Sequence, residues 1–76
     1  TRVAVEPESD LDGTTLGERA VETETGMRVI AIRRPSEDGD EWEIQPGPET
    51  PLRAADRLLA KGTRSGAEIL AGLASA

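Results

Sequence analysis

Apolar and polar positions alternate along several stretches of this chain with the period of two that marks β-strands. Val3 and Val5 alternate within Thr1 to Glu6, and Pro7 ends the stretch, which predicts a short opening strand. Glu41 to Pro46 carries Trp42 and Ile44 on one side, and Asp56 to Gly62 carries Leu58 and Ala60 on one side with Leu59 on the other. Met27 to Arg34 is apolar on both sides, with Met27, Val29 and Ala31 pointing one way and Ile30 and Ile32 the other. Two further stretches have helical spacing: Leu16, Ala20 and Val21 behind Thr15-Leu16-Gly17-Glu18, and Ile69, Leu70 and Leu73 behind Ser65-Gly66-Ala67-Glu68. Each tetrad has the spacing of a capping box, so helices are predicted from about Thr15 to Glu22, closed near Gly26, and from Ser65 onward. Asp10 to Gly13 and Ser36 to Asp40 read as turns, and Pro46, Pro48 and Pro51 forbid a helix or central strand between them.

The order is therefore β-α-β-β-β-α. Consecutive strands joined by short turns favour an antiparallel sheet with two helices packed on it, an α+β fold. The two-faced strand Met27 to Arg34 then needs cover on its second side, which a chain this short cannot supply with another layer of its own. Either the second helix reaches that side, or a second copy covers it in a two-fold dimer. In the dimer, Ile30 and Ile32 would line the pairing face, and Ile32→Glu would break it.

Composition narrows the chemistry. The 76 residues hold one domain, which buries only ~60–65% of the surface its unfolded chain exposes. There is no Cys and no His, which removes the cysteine nucleophile, the usual general base and the usual zinc ligands together. No pair of side chains forms a nucleophile with its base, so the chain is not expected to be an enzyme. The net charge of −6 argues against nucleic acid as a partner, because such binding neutralises phosphates with Lys and Arg. Glu37-Asp38-Gly39-Asp40-Glu41 is rich in oxygen ligands but lacks the spacing of a twelve-residue calcium loop, and reads as a solvated turn; no metal site is expected. Eight of the nine cations are Arg and only Lys61 is Lys, a bias similar to that of proteins from salt-loving archaea. The first residue, Thr1, suggests a fragment of a longer protein, with residues 1–76 forming a single regulatory unit of it. No apolar run approaches the ~20 residues that cross a bilayer.

The ordered series Leu11, Gly13, Leu16, Gly26, Val29-Ile30-Ala31-Ile32-Arg33-Arg34, Pro46, Thr50, Leu52, Asp56, Leu58 and Gly62 resembles the C-terminal domain of the regulators of potassium conductance, the TrkA C-terminal or RCK C-terminal domain. One departure is Ala55, where that family usually has Gly before the Asp; the loop is expected to turn differently there, because Ala resists positive φ. The resemblance implies a cytoplasmic regulatory domain that forms a homodimer beside a nucleotide-binding regulatory domain and serves a potassium channel, a potassium or cation uptake system or another membrane transporter. Similar domains also accompany phosphate-regulatory helical domains. It implies a ligand in the dimer cleft, a cyclic dinucleotide in some members and a divalent cation in others, and it leaves open a dimerisation module without any.

The resemblance places ligand contacts around the end of the two-faced strand and the strand after it. Ile30 and Ile32 would hold a flat base, and Arg33 or Arg34 would take a phosphate through its bidentate fork. Ile44 and Pro46 complete the set. Members that bind the cyclic dinucleotide often place Asn or His near the base, and this chain has neither. The alternative role of Arg33 and Arg34 is ion pairing with Glu37, Asp38 or Glu41, that of Trp42 is packing on a strand face, and that of Asp56 is capping its own turn.

Overall fold

The computed structural model describes residues 1–76 and has the element order expected from the alternation pattern: β1 (Arg2–Ala4), α1 (Val21–Thr25), β2 (Arg28–Arg34), β3 (Glu41–Ile44), β4 (Arg57–Lys61) and α2 (Arg64–Ala74). The strands form one antiparallel sheet in the order β1-β4-β2-β3. β2 and β3 are joined by the Ser36 to Asp40 turn, while β4 enters between β1 and β2. One face of the sheet is covered: Val3, Ile32 and Leu58 meet Leu70 and Ala74 of α2, with Val21 and Met27 beside them and Leu11 and Leu52 from the connecting loops. No helix is long and apolar enough to cross a membrane.

The first helix is shorter and later than its sequence pattern. Thr15 Oγ1 does accept from the Glu18 amide at 3.0 Å, as a cap would. The next backbone groups go elsewhere: the Leu16 amide bonds the Thr50 carbonyl and the Gly17 amide bonds that of Pro48, at 3.2 and 2.8 Å. Those are donors an early helix turn would leave free, so these bonds tie the segment to the proline-rich loop; the break lies at Ala20, whose φ of 47° is left-handed, and the regular helix starts only after it. Gly26, at φ 73°, ends it as expected. In α2 the cap is Thr63, whose hydroxyl accepts from the Gly66 amide at 3.0 Å, two residues before the expected Ser65. Gly66 lies where α2 crosses α1, and a side chain there would strike the Thr25 carbonyl and Met27.

The most consequential difference lies in β2. Val29 pairs with Ala60 and Ala31 pairs with Leu59, so Ile30 is an extra residue, a β-bulge. A bulge reverses the alternation of every residue after it. Val29 and Ile32 consequently share the core face, while Ile30, Ala31 and Arg33 share the other. Ile32 is fully buried, opposite Leu58 and Glu43, and does not stand beside Ile30 as the unbroken period of two requires. Ala31 likewise leaves the side of Met27 and Val29.

Ala55 also departs from expectation: it holds φ 77°, the left-handed conformation that glycine adopts freely, while its amide bonds the Val5 carbonyl at 2.9 Å. That conformation costs an L-residue about 1–2 kcal/mol, part of which glycine gives back in unfolded-chain entropy. Ala55→Gly should therefore raise stability by about 0.5–1 kcal/mol, a gain of roughly 3–6 °C in Tm for a domain of this size. A thermal melt followed by circular dichroism checks this, and a lower Tm would contradict it.

Candidate functional site

The sheet face opposite the helices has no cover. Its rows follow from the strand register: Arg28 opposite Lys61, Ala31 between Ile44 and Leu59, and Arg33 between Trp42 and Arg57. Arg2 pairs with Leu59 and Ala4 with Arg57, extending the face onto β1. Its centre is apolar and exposed, with Ile30 at 37%, Trp42 at 56% and Ile44 at 65% of their free accessibility. Monomeric proteins seldom leave such a contiguous apolar patch in water.

Around that centre stand five of the nine cations of a chain with net charge −6: Arg2, Arg28, Arg33, Arg57 and Lys61. Only Arg33 has a carboxylate partner, Asp40 at 3.2 Å. Arg28 and Lys61 face each other across β2 and β4 with no carboxylate in ion-pairing range. Beside them a hollow is lined by Arg28, Val29, Ile30, Gln45, Pro46 and Lys61. Gln45 holds φ 51°, and its amide bonds the Ile30 carbonyl at 2.8 Å, which brings the chain end of β3 over the bulge. The hollow continues into a groove of about 480 Å³ between Leu16 to Thr23 and the Pro46 to Pro48 loop.

The six residues singled out in the sequence divide. Ile30, Arg33 and Ile44 lie on the open face, and Pro46 lies at its margin in the hollow. Ile32 lies in the core. Arg34 follows Ile32 on the inner face and is fully engaged there: one guanidinium nitrogen donates to Glu43 Oε1 at 2.8 Å, another to the Pro51 carbonyl at 2.7 Å, and Nε stands 3.5 Å from Asp56 Oδ2. Its partners are not the turn carboxylates expected for it. Asp56 caps its own turn as expected, accepting from the Arg53 amide at 3.0 Å.

The same cluster holds Glu43, whose other oxygen accepts from Thr50 Oγ1 at 2.7 Å. The Thr50 hydroxyl and the Arg34 guanidinium together hold the Glu43 carboxyl below its ordinary value, against a smaller opposing effect of burial. Arg34 is therefore a clamp joining β2, β3 and the loop into β4. It is not a free anion receptor. Arg28, Lys61 and Gln45, which the sequence reading passed over, border the hollow instead. Their signal was present in the sequence as two cations at the outer ends of adjacent apolar strands, but pairing β2 with β4 was needed to bring them together. No three His, Cys, Asp or Glu side chains gather as a metal cage.

Comparison with known proteins agrees with this architecture. The TrkA-C domain model matches residues 1–72. The RCK_C domain dimer of S. agalactiae BusR in complex with c-di-AMP superposes with a TM-score of 0.81 at 22% identity, over 96% of this chain and 85% of that one. S. agalactiae BusR in complex with its busAB-promoter DNA gives a TM-score of 0.81 at 22% identity, over 96% of this chain and only 34% of that one. The GsuK channel bound to NAD gives 0.77 at 29% identity, over 96% of this chain and 13% of that one. No curated protein matches the chain in sequence. One correction concerns partners: the net charge argued against nucleic acid, yet a protein carrying this fold has been solved on promoter DNA, so the argument does not extend beyond the domain itself. Matched over nearly its whole length, the chain belongs to the TrkA-C domain family, a family of regulatory rather than catalytic domains.

Proposed function

We propose that this domain is the self-pairing, ligand-sensing part of a regulator serving a potassium channel or a potassium or cation transport system. The observation that carries the reading is the uncovered sheet face, apolar at its centre through Ile30, Trp42 and Ile44 and rimmed by five cations of which only Arg33 has a carboxylate partner. A second copy covers the apolar centre, which makes a homodimer. The hollow beside Arg28 and Lys61 takes an anionic ligand whose flat apolar body rests on Ile30 and Pro46. Ile44 stands next to it on the open face, and Arg33 lies further along β2, toward the turn into β3. Two relatives support the setting: the BusR domain was solved as a dimer with c-di-AMP, and GsuK is a channel. A nucleotide-binding regulatory domain and the transporter itself are the partners this reading supplies.

The test is a thermal-shift series on the domain with cyclic dinucleotides, mononucleotides and divalent cations at matched ionic strength, alongside sedimentation of the same samples. A ligand at a hundred times its Kd adds about 2.7 kcal/mol, which for a domain this small is roughly 10–20 °C in Tm. Arg28→Ala should remove most of an anion's shift while leaving the melt without ligand nearly unchanged. A dimer with no response to any member of the panel would make the domain a pairing module alone, and a monomer at every concentration would overturn the pairing.

A further inference from the structure

Strand alternation sorts the charges of this acidic chain onto different sides of the sheet. Arg2, Arg28, Arg33, Arg57 and Lys61 reach the open face, and the strand residues between them on that face are all apolar. The strands' carboxylates, Glu41 and Glu43, alternate with Trp42 and Ile44 and so turn to the other side, where Glu43 meets Arg34 and Thr50. Asp40, just before β3, is the one carboxylate that an ion pair brings to this face, through Arg33. With five of the nine cations gathered here, four are left to the 15 carboxylates, so the net charge of −6 conceals a positive face. Nothing within the chain neutralises it.

Both ends of the face are cationic. Arg28 stands opposite Lys61 beside the hollow, and Arg33 stands opposite Arg57 toward the turn into β3, like-charge pairs that are already unfavourable in the lone domain. Two copies laid face to face therefore bring cations up to cations whether the two-fold axis runs along the strands or across them. The apolar centre draws the copies together while the rims push them apart, and the push grows as water leaves the gap. Resting on the self-pairing reading above, we infer that pairing takes up anions: the two faces close only with small multivalent oxyanions held between their rims. Whatever binds the pair but not the lone chain draws the equilibrium toward the pair, so such an anion tightens the dimer as its concentration rises. An interface of opposite charges responds to salt in the reverse direction. Arg2 and Arg57 belong to this collar although neither lines the hollow. Their contribution is therefore separable from that of an anionic ligand seated on Arg28 and Lys61.

Sedimentation of the 76-residue chain measures the pairing, and the emission of Trp42, its only aromatic residue and an exposed one on this face, follows the same event. At matched low ionic strength, a few millimolar pyrophosphate in place of chloride should tighten the wild-type dimer about tenfold or more. Arg2→Gln with Arg57→Gln supplies the deciding sign. The double variant makes the chain more negative, and repulsion between whole chains would then weaken its dimer in low salt. Relief of the collar should instead tighten that dimer about tenfold and flatten its response to pyrophosphate. Glu68→Gln, an exposed change on α2, should leave the pyrophosphate response as it is in the wild type. A dimer weakened by the double variant, or a wild-type dimer equally tight in pyrophosphate and chloride, would overturn anion uptake and leave the pairing standing. A wild-type chain monomeric in every salt would instead overturn the pairing on which the inference rests.

Discussion

Ile32→Glu should leave little or no folded domain at 25 °C, whereas Ile44→Glu, on the neighbouring strand but the opposite face, should melt within a few degrees of the wild type and lose only its tendency to pair. Ile32 is completely buried against Leu58 in a core that also holds Val3, Leu70 and Ala74. A carboxylate there has no partner, and burying it costs several kcal/mol on top of the lost aliphatic contact. A domain of this length has a total stability of only about 4–11 kcal/mol, so the change removes most or all of it. Ile44 pairs with Ala31 on the opposite face and keeps 65% of its surface in water, so a Glu at that position is solvated in the lone chain. Circular dichroism melts and sedimentation of the two variants separate these outcomes. A folded, monomeric Ile32→Glu would mean that Ile32 belongs to the pairing face after all.

The contrast between these two isoleucines also marks how far the sequence could be read. Leu58 and Ala60 do face the core with Leu59 behind them, because β4 is regular and its alternation is undisturbed. Gly26 ends α1 and the β2 to β3 turn falls at Ser36 to Asp40, both dictated by local backbone chemistry. β2 resisted because its bulge sits between residues that are all apolar: Val29, Ile30 and Ala31 look equally suited to either side, and an inserted residue leaves no trace in an unbroken hydrophobic run. From Ala31 onward every assignment to a face then inverts. Arg33 and Arg34 must point opposite ways in any strand, so only one of them could serve an open cleft; the bulge decides that it is Arg33. The first helix is shorter than its pattern for another reason: Ala20 takes a left-handed φ of 47°, and the stretch before it is tied to the loop from Pro46 to Thr50 across a separation no local pattern reports.

The placement of Arg34 sets the second large effect. Arg34→Ala should lower stability by about 2–3 kcal/mol, and Tm by roughly 10–20 °C, through the clamp and not through any ligand. The substitution strips the Pro51 carbonyl and Glu43 of their donor and leaves the Asp56 side chain, only 4% exposed, with no cation beside it. Arg34→Lys should recover less than half of the loss, because one ammonium cannot span three acceptors that the planar guanidinium meets along three directions. The pH dependence follows from Glu43, whose pKa is lowered in the folded domain by Thr50 and Arg34. A lowered carboxyl pKa contributes stability that is complete above the unfolded value and disappears as pH falls through the folded one. Wild-type melts should therefore drop more steeply on acidification below the ordinary range of Glu than Arg34→Ala melts, which retain only the Thr50 share of the shift. Parallel curves for the two proteins would contradict the clamp. If the slopes do differ, a weaker ligand response in Arg34→Ala reports a loosened β2 to β3 hairpin, and evidence for a bound anion has to come from Arg28 and Lys61 instead.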